Sequence, residues 1–186
     1  GITVENIMTG VIFDALNLNP TFEDNDEDGA PEGWEYEPES GNFSLEKSGT
    51  FGGNVVKMII PHGATYAVKT KEFIPVSQKN VWGEHEVILV GYTDYCPGEG
   101  WRVIAVHCYD VNKNHITSVL LYPSCALGYY WYVGYINPED LPEGTVYIKL
   151  EAQFTNDGTS DMTMKLDLFL IRRAMSTKNL KATGTL

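Results

Sequence analysis

The feature that most constrains the fold is a series of short segments, five to ten residues long, separated by turn residues. Apolar and polar residues alternate in several of them, and no long stretch has the 3.6-residue period of an amphipathic helix. The predicted strands are residues 33–37, 42–47, 54–60, 64–69, 85–93, 101–109, 115–122, 129–136, 145–154 and 162–171. We therefore predict an all-β fold, a jelly-roll β-sandwich of two antiparallel sheets.

Strand 145–154 has the clearest alternation. Val146 and every second residue as far as Phe154 predict a core-facing side, whereas Glu151 and Gln153 belong to the side that faces water. Residues 87–91 and 103–107 are apolar on both sides. We expect their outer sides to contact a ligand, a loop or another subunit.

The length of 186 residues is enough for one domain with a substantial core. We expect residues 1–18 to be a connector or an edge segment, residues 19–173 to form the jelly roll, and residues 174–186 to be a polar tail. No apolar run approaches the length of a transmembrane helix, and no signal-peptide pattern begins at Gly1. The sequence therefore predicts no membrane insertion.

The negative charge is concentrated near the start of the chain. Residues 1–46 contain twelve acidic residues and no Lys or Arg, so the formal charge of −12 resides there. Nine of the twelve lie between Glu23 and Glu39, where their mutual repulsion is costly unless a cation or solvent relieves it. Nucleic acids and anionic membranes need clustered Lys and Arg, so the sequence argues against both as partners.

Part of this acidic run matches the pattern of a calcium-binding loop. The pattern D-x-D-x-D-G-x5-E is filled by Asp24, Asp26, Asp28 and, in the twelfth place, Glu35. Calcium accepts six to eight oxygen ligands, which such a loop can supply. No amphipathic helix enters the loop and Pro31 interrupts it, so we predict a calcium loop on a β scaffold and no EF-hand. The alternative is a solvated acidic turn.

Three cysteines, Cys96, Cys108 and Cys125, are too few for a disulfide framework. Cys108 alternates with the apolar residues Ile104 and Val106, which predicts a buried free thiol. One pair could form a bridge, and the spacing leaves open which pair it is.

Four motifs, in this order, resemble the calcium-containing jelly-roll carbohydrate-binding modules of families 4, 9, 16 and 22. They are Asn19-Pro-x-Phe-Glu23, Pro-Glu-Gly-Trp34, the stretch from Lys47 to Met58, and the closing strand from Met164 to Arg173. The resemblance covers roughly residues 17–173. It implies a non-catalytic module that binds a polysaccharide or a cell-surface glycan in an extracellular setting.

The resemblance also implies a structural Ca²⁺. Its expected ligands are Glu23 and Asp167, with backbone carbonyl groups near residues 49–53. In the family two acidic residues often follow one another in the closing strand, but here Asp167 precedes Leu168. The alternative role of Asp167 is a strand carboxylate balanced by Arg172 or Lys165.

Sugars bind such modules through aromatic side chains with a few polar groups. Our predicted aromatic platform is Trp131, Tyr129, Trp101 and Tyr109, with Trp82 and Tyr95 at its rim. Gln153, Glu151 and Asn54 are the predicted polar partners. The alternative for any one of these rings is packing in the core.

Catalytic patterns are missing from the sequence. It contains no G-x-S-x-G, no H-E-x-x-H and no phosphate-binding loop, and no persuasive carboxylate pair of the kind that glycosidases use. We therefore expect no enzyme activity and no catalytic residues. The alternative function is a structural or receptor-attachment domain of a virus or phage fibre or of a surface protein. Such a domain could form a homotrimer on a virion surface, and residues 129–135 would then lie in the subunit interface.

Overall fold

The computed structural model describes residues 14–24, 30–47, 49–76, 84–97 and 102–174, and these form a β-sandwich. The strands are β1 (Trp34–Glu37), β2 (Phe43–Glu46), β3 (Val55–Ile60), β4 (Thr65–Thr70), β5 (Ile74–Pro75), β6 (His85–Thr93), β7 (Arg102–Tyr109), β8 (His115–Leu121), β9 (Gly128–Ile136), β10 (Tyr147–Thr155) and β11 (Met162–Arg173). One turn of 3₁₀ helix, Pro138–Asp140, lies between β9 and β10. No α-helix occurs among the described residues, and so none there could span a membrane.

Each strand belongs to one of two sheets, and all pairings are antiparallel. Sheet A has the order β1-β4-β10-β7-β8, with β5 beside β10, and sheet B has the order β2-β3-β11-β6-β9. The predicted all-β jelly-roll sandwich is therefore confirmed. Strand β5 was not predicted, because two residues are too few to reveal an alternation.

The core lies between the inner faces of the sheets. Alternate residues of β10, from Ile148 to Phe154, are fully buried there, as the alternation predicted. The ring of Trp34 lies 5.0 Å from that of Phe22 and 5.7 Å from that of Phe169, so β1, the N-terminal loop and β11 meet in one aromatic stack. Such rings bury large apolar areas and dominate core stability.

A β-bulge interrupts the pairing of β11 with β6. Leu166 pairs with Gly91 and Leu168 pairs with Val90, which leaves Asp167 as the extra residue. The bulge reverses the alternation of β11, since Leu166 belongs to the core between the sheets whereas Leu168 belongs to the outer side of sheet B.

The N-terminal segment is bonded to the free side of β11, beyond the end of β3. The backbone N–H of Leu16 donates to the carbonyl of Ile171, and the amide side chain of Asn17 exchanges hydrogen bonds with Phe169 and Ile171. Residues 1–13 and 175–186 lie outside the described residues, so the domain boundaries stay a prediction.

The outer side of β6 is partly covered, as expected for a strand that is apolar on both sides. Ile88, Val90, Leu168 and Leu170 form a small second cluster, against which Ala15 and Phe51 pack. Two loops of this chain therefore cover the middle of sheet B.

Candidate functional site

The outer face of sheet A carries a connected group of polar side chains, which we call the polar face. It consists of His107 on β7, Ser118 and His115 on β8, and Glu151 and Gln153 on β10. These strands are neighbours in the sheet, and alternation directs the side chains away from the core.

Glu151 is the centre of the polar face. Its Oε1 accepts hydrogen bonds from Nε2 of His107 at 3.1 Å and from Nε2 of Gln153 at 2.6 Å. Within the described parts of the chain, no group donates to its Oε2. The protein thus holds one of the two carboxylate oxygens through two donors.

The hydrogen-bond pattern assigns the protons of His107. A carboxylate only accepts, so Nε2 of His107 carries a proton, and Nδ1 shares a hydrogen bond with the hydroxyl of Ser118 at 2.6 Å. Nε2 of His115 in turn lies 3.0 Å from Oγ of Ser118. The chain of bonds from His115 to Glu151 fixes the orientation of each group before a ligand arrives.

The sequence predicted that Glu151 faces water, but the structure leaves it only 5% exposed. Burial raises the pKa of this carboxyl, but the hydrogen bonds from His107 and Gln153 outweigh that effect, helped by the charge of Lys69. The net pKa lies below its ordinary value, so Glu151 is ionised at neutral pH.

Aromatic rings border the polar face at one end. The ring of Phe73 lies 4.9 Å from that of Tyr109 and 5.9 Å from that of Tyr147, both in edge-to-face geometry. Tyr109 also lies 5.4 Å from the ring of His115, and burial raises its pKa. This rim adds apolar contact area next to oriented polar groups, the combination typical of ligand sites.

The predicted aromatic platform is divided between two sheets. Tyr109 lies on β7 in sheet A, whereas Tyr129 and Trp131 lie on β9 in sheet B. One platform requires these strands to lie side by side, but β7 pairs with β8 and β10. The prediction of one continuous platform is therefore wrong, because the rings that it groups lie on two different sheets.

The other predicted sugar-binding residues are dispersed. Tyr95 is 39% exposed in the loop after β6, where its hydroxyl donates to Asp157 at 3.4 Å. Asn54 donates to the carbonyl of Phe22 at the far side of the sandwich. Trp101 and Trp82 lie outside the described residues.

Tyr129 and Trp131 are exposed, which excludes core packing for both. Their exposed fractions are 73% and 64%. The ring of Trp131 meets that of Phe51 edge-on at 5.7 Å, and the ring of Tyr129 lies 5.2 Å from that of Tyr92. The charged neighbours of this row are already paired with each other, since Glu86, opposite Tyr135, accepts from Arg172 at 2.6 Å.

Asp167, at the bulge, faces a small cradle of oxygen atoms. A Cβ added at Gly49 would lie 2.8 Å from the carbonyl oxygen of Gly53, 2.9 Å from Oδ1 of Asp167 and 3.1 Å from the carbonyl oxygen of Asn54. The backbone N–H of Thr50 donates to both oxygens of the carboxylate, at 3.2 and 3.3 Å. Three oxygens that converge at a glycine are of the type that calcium prefers.

The alternative role of Asp167, balance by a nearby cation, is not observed. Nε of Arg172 donates to Glu86 at 2.6 Å, and Nζ of Lys165 donates to Glu46 at 3.0 Å. Among the described residues Asp167 has no ion pair, although it is only 4% exposed.

The remaining predicted calcium ligands are only partly described. The side chain of Glu23 is exposed, but its backbone follows Phe22, whose carbonyl accepts from Asn54. Asp24 is half-buried. Asp26 and Asp28 lie outside the described residues. In the described part of the chain no three acidic, His or Cys side chains gather as a metal cluster, so any calcium there would depend on backbone carbonyls.

The cysteines form one disulfide, Cys96–Cys125, between the loops that follow β6 and β8. Cys108 is buried and free, as predicted, and burial raises its pKa to about 11. His107 and Cys108 face opposite sides of β7, so they do not form a catalytic pair with each other.

Sequence reasoning missed Phe73, Ser118 and His115 as parts of this surface. Ser118 and His115 lie on a predicted strand, and their contact with His107 follows from the pairing of β7 with β8. No local signal identifies Phe73, because it lies beside the unpredicted strand β5.

No protein-family model matches the chain, and no curated protein matches its sequence. Several solved structures match its shape. The CBM22-1 xylan-binding domain of Paenibacillus barcinonensis Xyn10C has a TM-score of 0.51 at 14% identity, over 88% of this chain and 97% of that domain. A family 28 carbohydrate-binding module specific for non-crystalline cellulose has a TM-score of 0.51 at 16% identity, over 84% and 94% of the two chains.

Two further matches have TM-scores of 0.50. A family 16 carbohydrate-binding module is 12% identical, over 74% of this chain and 90% of that module. An exo-β-agarase is 10% identical, and the match covers 85% of this chain but 26% of the agarase chain. Identities this low show the fold alone. The chain has the jelly-roll fold of carbohydrate-binding modules, as the sequence resemblance predicted.

Proposed function

We propose that the protein is a non-catalytic carbohydrate-binding module and that the glycan binds to the polar face of sheet A. The observation that carries the proposal is the arrangement of Glu151. Its Oε1 is held by His107 and Gln153, and its Oε2 can accept a bond from a sugar hydroxyl. The ring of Tyr109, on the neighbouring strand, lies within reach of the same ligand.

The chemistry of the polar face suits a sugar, because a pyranose presents hydroxyl groups at its edge and C–H groups on its faces. The carboxylate, amide and imidazole groups would bond the hydroxyls, and the rim of Tyr109, Phe73 and Tyr147 would contact the C–H groups. The polar groups are already oriented by bonds to one another, which lowers the entropic cost of binding.

The matched structures guide the choice of ligand. One is named for xylan and one for non-crystalline cellulose, and both are polysaccharides that present separate chains. A row of polar groups across three strands fits one such chain. We therefore propose a soluble or amorphous polysaccharide as the ligand, encountered outside the cell. The Cys96–Cys125 disulfide supports an oxidising, extracellular setting.

The test is binding to soluble xylan and to phosphoric-acid-swollen cellulose, measured by affinity electrophoresis and calorimetry. A hydrogen bond to a charged group contributes about 1.5–3 kcal/mol. We therefore expect Glu151→Ala to weaken binding by roughly tenfold or more. The matched control is Glu143→Gln, an exposed carboxylate in the turn before β10.

Retention of full affinity by a folded Glu151→Ala variant would move the site away from the polar face. Absence of binding to any member of a broad glycan array would remove the carbohydrate-binding function itself. The rival function, a fibre or attachment domain, gains no support from the matched structures.

We also propose a structural Ca²⁺ at the cradle beside Gly49. Asp167 would supply the buried carboxylate, and the carbonyl groups of Gly53 and Asn54 would supply further oxygens. Glu23 is the candidate for a second carboxylate, because its neighbour Phe22 is bonded to Asn54. The ion would join the N-terminal loop to β11, which makes its role one of stability. A separate calcium site at the acidic turn stays a prediction, with Asp24, Asp26 and Asp28 as its ligands.

A further inference from the structure

The stretch from His115 to Ile136 is unusual in this chain, because its 22 residues contain no Asp, Glu, Lys or Arg. It comprises β8, β9 and the loop between them, which form one lateral side of the sandwich. Eight of the twelve large apolar side chains exposed in the described structure belong to it: Ile116, Leu120, Tyr122, Leu127, Tyr129, Trp131, Val133 and Tyr135. Exposed apolar surface of this kind marks an interaction site.

Strand β9 is an open edge of sheet B. It pairs with β6 on one side, and on the other side its backbone groups have no hydrogen-bond partner among the described residues. A long apolar edge strand without charge is a template for pairing with another strand, which native proteins normally prevent with charges or proline.

On the opposite lateral side of the sandwich, charged residues protect the edge strands from such pairing. The edge strands there, β1 and β2, are four residues long, and they carry Glu35, Glu37 and Glu46. The acidic region from Glu23 to Glu39 includes β1. Two copies that meet through β9 would therefore keep their most acidic regions far apart.

The exposed row on β9 is also suited to pairing with itself. Along the sequence of β9, Tyr129 and Tyr135 are each three residues from Tyr132, and Trp131 and Val133 are each one residue from it. An antiparallel two-fold pairing centred on Tyr132 therefore sets Tyr129 beside Tyr135 of the other copy and Trp131 beside Val133. Aromatic pairs and pairs of an aromatic with a β-branched residue are among the favourable cross-strand neighbours.

We propose that two copies of this chain associate through β9, edge to edge and antiparallel, to form a two-fold dimer with one continuous sheet. The pairing supplies partners for the unpaired backbone groups and sets the exposed side chains of the two copies side by side. The polar face lies on sheet A, so the association leaves it accessible in both copies. A dimer of this kind presents two glycan sites and gains avidity for a polysaccharide.

The test is analytical ultracentrifugation of the full chain over a concentration series. We expect a reversible dimer, and we expect Val133→Lys to raise its dissociation constant by roughly tenfold or more, because the substitution sets charges near the two-fold axis. The matched control is Val111→Lys in the turn between β7 and β8, where Val111 is 66% exposed and far from the β9 edge. We expect the control to dimerise like the wild type.

Hydrogen exchange gives a second readout. In the dimer the β9 amides that point away from β6 exchange slowly, and in the folded Val133→Lys variant they exchange fast. Four results would overturn the proposal: a monomer at every concentration, a trimer, a Val133→Lys variant that still dimerises, or a Val111→Lys control that is equally impaired. Because glycan binding is measured separately on the polar face, failure of the dimer leaves the proposed function intact.

Discussion

Nε2 of His107 lies 3.1 Å from Oε1 of Glu151, and this contact joins β7 to β10 across the outer face of sheet A. The two residues are diagonal neighbours, since His107 pairs with Lys149 and Glu151 pairs with Ala105. Ala105 is too small to fill the space opposite Glu151, so the imidazole can reach across to the carboxylate. The contact links two strands of the sheet and also orients the carboxylate of Glu151 in the proposed site.

The first prediction concerns pH. The pKa of Glu151 is below its ordinary value of 4.5 in the folded protein, so its contribution to stability is complete above that value and is lost as the pH falls through the folded pKa. We expect the free energy of unfolding to decrease with pH in this acidic window, and less steeply in Glu151→Gln. Urea unfolding at a series of pH values measures the difference. Equal slopes for both proteins would contradict the pKa shift.

The second prediction concerns calcium. At a free concentration one hundred times its Kd, an ion bound only to the folded state stabilises it by about 2.7 kcal/mol. For a chain of this size we expect chelation to lower Tm by roughly 5–10 °C. Asp167→Asn should abolish the response to calcium, whereas Asp161→Asn, an exposed control, should keep it. A melting curve unaffected by excess chelator, with no metal found by elemental analysis, would remove the calcium proposal.

The third prediction concerns the aromatic stack. Trp34 is 1% exposed, lies between Phe22 and Phe169, and donates from Nε1 to the carbonyl of Asn19 at 2.7 Å. We expect Trp34→Ala to reduce the free energy of unfolding by about 3–5 kcal/mol, because it leaves a cavity and removes the hydrogen bond to the carbonyl of Asn19. Tyr122→Ala, at an exposed ring, should change it little. Denaturant unfolding followed by circular dichroism compares the two variants.

The fourth prediction concerns the disulfide. The Cys96–Cys125 bridge closes a loop with a sequence separation of 29 residues. By the loop-entropy relation, its removal should cost about 3.5 kcal/mol of stability. We expect this loss in the Cys96→Ser/Cys125→Ser double variant, measured by urea unfolding. Reduction of the wild type should give the same loss, and a reductant should not affect the double variant.

The fifth prediction concerns Trp131. Its 64% exposure means that Trp131→Ala should leave the chain folded, with Tm nearly unchanged at concentrations below the dissociation constant of the dimer. With the glycan on the polar face, we also expect polysaccharide binding by the monomer to be retained. Loss of binding in a folded Trp131→Ala variant would instead support the platform on β9 that the sequence suggested.

Most of the fold could be predicted because a strand with one buried side has a period of two. The alternation in residues 145–154 was enough to assign Ile148 and Leu150 to the core. The assignment of strands to sheets depends on pairing between residues far apart in sequence, which alternation does not encode. This is why Tyr109 and Trp131 were assigned to one surface although they lie on different sheets.

The site was predicted only in part, for a similar reason. Alternation gave the direction of Glu151 and Gln153 correctly but said nothing about depth, and the burial of Glu151 comes from neighbours on other strands. The bulge at Asp167 was also not predicted. One inserted residue alters neither the composition of a short strand nor its alternation enough to be recognised.

The bulge has a consequence for engineering and for sequence alignment. Deletion of Asp167 would restore strict alternation after Leu166 without turning a side chain, since Leu168 and Leu170 would still point outward and Phe169 and Ile171 inward. An alignment with a strand that lacks the bulge therefore needs a gap at this position, because an ungapped alignment would exchange the inner and outer residues of the second half of β11. A relative of this chain that lacks the extra residue can keep the packing on both sides of that strand, and it loses the carboxylate beside Gly49.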